Sequence, residues 1–81
     1  MSDMNRVDVY EMSAEAGKLN LEVWVDGSLV GNVRLEGRDR WWVVIEETID
    51  VADLDGRRWA YYGDVYRGVK ETVAASLDPV F

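Results

Sequence analysis

From Leu19 to Val25 the chain alternates strictly, with Leu19, Leu21, Val23 and Val25 on one side and Asn20, Glu22 and Trp24 on the other. A period of two fits a strand, and a strand with one clean apolar side calls for a covering layer on that side. The side that carries Trp24 is left to water or to a partner.

Asp26-Gly27 announces a hairpin. A two-residue turn there sets Leu21 against Asn32 and Leu19 against Arg34, which mixes polar and apolar residues on one face. A three-residue loop, Asp26-Gly27-Ser28, instead pairs Val25 with Leu29, Val23 with Gly31, Leu21 with Val33 and Leu19 with Leu35. That register predicts an apolar core face, with Trp24 opposite Val30 on the outside. Gly31 is expected either to leave room for a bulky side chain from another layer or to mark a bulge.

Upstream, Arg6 to Met12 sets Val7 and Val9 against Asp8, Tyr10 and Met12 and predicts a first strand, joined through Ser13 to Lys18. Downstream, Gly37 to Arg40 reads as a turn, and Trp41 to Glu47 as a strand with two apolar faces. Adjacent tryptophans in a strand cannot share one core. Taking the longer set Trp41, Val43 and Ile45 as the inner one leaves Trp42 and Val44 outside.

After Asp50, read as the cap of a helical turn from Val51 to Leu54 that ends at Gly56, a helix is predicted over Arg57–Leu77. Trp59, Tyr62, Tyr66, Val69, Val73 and Leu77 recur at spacings of three and four and form its apolar stripe. Asp64, Arg67 and Glu71 make a charged ladder on the far side, and Asp78-Pro79 stops the helix. Gly63 is expected at a close helix–sheet approach, and Gly68 has no explanation in the pattern. The chain of 81 residues is thus expected to form one domain, 1–81, of α+β class: an antiparallel meander of about four strands with one C-terminal helix packed on one face, in two layers.

Such a sheet has a second face, on which the expected residues are Tyr10, Trp24, Val30, Trp42 and Val44. Exposed aromatic area of this kind marks a contact surface, and tryptophan is the residue type most often found at the energetic centre of interfaces. The expected function is a small acidic, non-enzymatic protein-interaction module that buries this face in a homodimer or a hetero-complex. The competing expectation is a lid over the face made by Met1, Met4 or Phe81.

The chain has no cysteine and no histidine, which excludes disulfides, thiolate and imidazole metal sites, a cysteine nucleophile and the Ser-His-Asp constellation. No catalytic, cofactor-binding or metal-ligating residue is assigned. Taking Gly56 as the sixth position of a calcium loop puts Val51 at the first and Tyr62 at the twelfth, so that match fails. A net charge of −7 opposes direct contact with nucleic acid and anionic membrane, even where Arg38, Arg40, Arg57 and Arg58 neighbour tryptophans. Arg57 and Arg58 are instead expected to pair with Glu46, Glu47, Asp53 or Asp55. No signal pattern or bilayer-length apolar run occurs, so the expected compartment is the cytoplasm. Charge also supports an alternative function, an acidic inhibitor of the phage anti-defence type. Its carboxylates at Glu46, Glu47, Asp50, Asp53 and Asp55 would imitate nucleic acid in a basic groove.

Overall fold

The computed structural model describes residues 5–77. The sheet is a five-stranded antiparallel meander in chain order: β1 (Val7–Glu15), β2 (Lys18–Val25), β3 (Ser28–Arg38), β4 (Trp41–Glu47) and β5 (Arg58–Trp59). One helix, α1 (Tyr62–Leu77), lies across one face. The α+β meander with a C-terminal helix is therefore as the alternation requires, with one additional short strand. No helix among the described residues is long and apolar enough to cross a membrane. The lid residues Met1, Met4 and Phe81 and the Asp78-Pro79 stop lie outside the described residues.

The core is where the two periodicities meet. Leu19, Leu21 and Val23 of β2, Val33 and Leu35 of β3, and Val65, Val69 and Val73 of α1 are buried together with Val7 and Leu54. Each such aliphatic side chain contributes about 1.5–3 kcal/mol when fully withdrawn from water. The predicted pairings Val23–Gly31, Leu21–Val33 and Leu19–Leu35 are all present.

The turn that produces them differs. Val25 pairs with Ser28, so the loop is the two-residue Asp26-Gly27, both with positive φ (52° and 81°) as this turn type demands. The pairing then slips by one residue between Val23 and Trp24, which restores the apolar register. Val30 is the extra residue of that bulge and packs against the core, while Leu29 takes the place opposite Trp24. Gly31 serves both expected purposes: it adjoins the bulge, and a Cβ there would stand 2.2 Å from the Thr48 carbonyl oxygen and 2.4 Å from Ile49 Cγ2.

The inside and outside of β4 are reversed from expectation for a similar reason. β3 runs on to Arg38 and turns through Asp39 and Arg40, both in the left-handed region (φ 47° and 71°). Trp41 then faces Arg38 and Trp42 faces Gly37, which places Trp42 and Val44 on the core side. Trp41 and Ile45 are exposed. A slip between Arg34 and Leu35 leaves Ile45 unpaired and sets Glu46 opposite Arg34 and Glu47 opposite Val33.

The helix is shorter than its stripe suggested. Arg58 and Trp59 pair with Val43 and Trp42 as a strand, and the segment around Asp50 forms no helical turn. Leu54 nevertheless enters the core. The Trp59 indole lies against the helix at Gly68, where a Cβ would come within 1.9 Å of Nε1, and this accounts for that glycine. Gly63 faces open space rather than a close approach.

Candidate functional site: the open face of the sheet

With α1 on one side, the other side of the five strands has no covering layer among the described residues. β1 and β2 bring Tyr10 and Trp24 together at one end, with ring centroids 6.3 Å apart in an edge-to-face arrangement. The Trp24 indole N–H donates to Glu22 Oε1 at 3.1 Å, so its own strand fixes the ring's polar edge. Leu29 adjoins Trp24 across the bulge. At the other end β4 and β5 present Trp41, Val43 and Ile45, and the Arg58 guanidinium sits 5.3 Å from the Trp41 ring centroid.

Between these apolar ends the face is polar, and most of its charges are paired, Lys18 being an exception among the described residues. Arg34 Nη1 lies 2.7 Å from Glu46 Oε2 and Arg38 bonds to Glu36, while at the Trp24 end, on the edge strand, Arg6 Nε lies 3.0 Å from Asp8 Oδ2. A depression of ≈ 410 Å³ opens here, bordered by Ser13, Lys18, Asn20, Arg34, Glu36 and Ile45. Asn20 Oδ1 is buried at this position without a hydrogen-bond partner. Thus a chain of net charge −7 carries one face whose ionised groups largely cancel.

Of the residues the sequence nominated for this face, Tyr10 and Trp24 lie on it; Trp42, Val44 and Val30 are turned to the core. Trp42 instead meets the Tyr62 ring of α1 at 5.6 Å. The pattern missed Leu29, Trp41, Val43 and Ile45, because each reaches the open face only through a bulge or a two-residue turn. The Asp26-Gly27 dipeptide was the available signal, since its strong preference for a two-residue turn forces a bulge elsewhere.

The acidic candidates do not form one array. Glu46 is on the open face, paired with Arg34, whereas Glu47 points to the core side. Glu47 Oε2 is buried without a partner, and that burial holds its pKa above the usual carboxylate value, with Asp53 and Asp55 adding to the effect. Asp53 accepts the Asp55 backbone N–H at 3.0 Å, and Asp50 lies earlier in the same connection. Arg57 and Arg58 form no ion pair among the described residues; Arg58 rests on Trp41 instead.

On the core side near β1, Glu11 accepts hydrogen bonds from the hydroxyls of Tyr62 and Tyr66. These bonds lower the Glu11 pKa. They also raise that of Tyr62, and burial together with Glu11 raises that of Tyr66. The three groups tie the helix to the edge strand. The chain matches no protein-family model, no curated protein and no solved structure.

Proposed function

We propose that the protein is a non-enzymatic interaction module that buries its open sheet face against another protein, most simply a second copy in a homodimer. The observation that carries this reading is the layout of that face. Tyr10, Trp24 and Leu29 at one end and Trp41, Val43 and Ile45 at the other frame a centre whose charges are internally paired. Two chains of charge −7 repel one another over most of their surfaces, and a self-neutralised face is where they can approach. Tryptophans at the two ends supply the large rigid anchors that association needs, and a hetero-complex would use the same anchors.

Light scattering in high salt tests the homodimer form, because apolar contacts persist where charge attraction is screened. Wild type is expected to exceed the 9.3 kDa mass of one chain, and Trp24→Arg/Trp41→Arg is expected to halve the assembly. An unchanged mass in that variant rejects the role of the face in self-association. The alternative of nucleic-acid imitation draws on overall charge alone, and it predicts the opposite salt response.

A further inference from the structure

We propose that β1 is a second, independent association surface, on which two copies pair their edges antiparallel about a two-fold axis at Val7 and build one continuous sheet. β1 ends the sheet along its nine residues. The Arg6 backbone faces β2: its N–H donates to Asp26 Oδ1 at 2.9 Å and its carbonyl accepts from Asp26 N–H at 2.8 Å. By the alternation of antiparallel ladders Asp8 and Tyr10 also bond toward β2, while Val7, Val9 and Glu11 aim their N–H and C=O groups outward. No partner for these groups occurs among the described residues. Sheet edges are ordinarily guarded by lysine, proline or a bulge. Val7–Glu11 holds no lysine or proline, its two charges are already engaged within the chain, Asp8 by Arg6 and Glu11 by the Tyr62 and Tyr66 hydroxyls, and the pairing slips only beyond Glu11. Beside the strand runs a groove of ≈ 400 Å³ between Asp8, Val9 and Tyr10 on one wall and Tyr66, Arg67 and Lys70 on the other, which gives an added strand room.

Charge selects a second copy as the occupant and Val7 as the centre. Arg6 and Asp8 share one face of β1, with Nε and Oδ2 3.0 Å apart. An axis at Val7 sets Arg6 against the partner's Asp8 and Asp8 against the partner's Arg6, a ring of four alternating charges. Main-chain bonds then form at Val7 and at the two Asn5–Val9 pairings, with valine against valine on the core side. Centring the axis on Asp8 instead would oppose two carboxylates directly, which is unfavourable. The pairing leaves both helices on one side of the joined sheet and both open faces on the other, so it neither requires nor blocks burial of the open face.

Val9→Pro tests the seam. The substitution removes an outward N–H and no bond to β2, a position at which an edge strand accepts proline. With both surfaces engaged, wild type is expected to have at least four times the mass of one chain, and Val9→Pro is expected to reduce it to that of the open-face dimer with an unchanged circular dichroism spectrum. Asp8→Arg, on the surface, is expected to weaken association about tenfold, and Arg6→Asp/Asp8→Arg to restore it, since the charge ring is rebuilt with reversed sign. A wild type that remains a single chain overturns the proposal. So does a Val9→Pro variant, or a folded Asp8→Arg variant, that associates like wild type. Loss of association in Trp24→Arg/Trp41→Arg alone assigns it to the open face and not to the edge.

Discussion

Gly68 and Gly63 stand five residues apart on one helix, yet opposite outcomes follow from filling them. A methyl at Gly68 would overlap the Trp59 indole at 1.9 Å. Gly68→Ala is therefore expected to lower stability by about 1–3 kcal/mol despite the better helix propensity of alanine. Gly63→Ala meets open space and is expected to raise stability by up to about 1 kcal/mol. Chemical denaturation of the two variants reads both signs. Two glutamates make a similar pair through pH. Glu47 has a folded-state pKa raised by burial, so its contribution is favourable in acid and is lost as pH rises through that value. Glu47→Gln is expected to be more stable than wild type at neutral pH and equal to it in acid. Glu11 has a folded-state pKa lowered by the Tyr62 and Tyr66 hydroxyls, so its contribution is present at neutral pH and lost on acidification. Glu11→Gln is expected to be less stable at neutral pH and to converge with wild type in acid. Thermal melts across this range decide both.

Among the elements, β2 was fully legible because its alternation has one clean face, and its core pairings with β3 followed from keeping that face apolar. The one-residue slips were not legible. A slip moves no residue along the chain but exchanges the two faces beyond it, and in β4 both faces are apolar, so composition gave no preference for Trp41 or Trp42. What decided the matter was the pair of left-handed residues at Asp39 and Arg40, which have no glycine to announce them. The helix start was hidden for a different reason: Trp59 lies at helical spacing from Tyr62 and Tyr66 yet contributes to the sheet. Gly31 is the element-level test of the bulge. Its φ of 154° and its contact with the 48–49 backbone leave no space for a side chain. Gly31→Ala is expected to cost about 3 kcal/mol by denaturant titration, from backbone strain and overlap together, against about 1 kcal/mol from the strain alone if the 48–49 segment packed elsewhere.

At the scale of the whole molecule, one helix covers one side of five strands, and the four tryptophans divide between the two sides. Trp42 and Trp59 are packed between sheet and helix, while Trp24 and Trp41 lie on the open face. That division corrects the residue choice made from alternation, yet it preserves the feature that made a contact surface expected there. Under the proposed self-association, the paired charges on that face would let two acidic chains approach, while the net charge of −7 opposes other orientations. The most direct test is to follow the four indole N–H resonances by NMR as the Val9→Pro protein, with its β1 seam blocked, is diluted. The Trp24 and Trp41 signals are expected to move together with concentration while those of Trp42 and Trp59 stay fixed. Four signals that are all insensitive to concentration, or movement confined to Trp42 and Trp59, would contradict it.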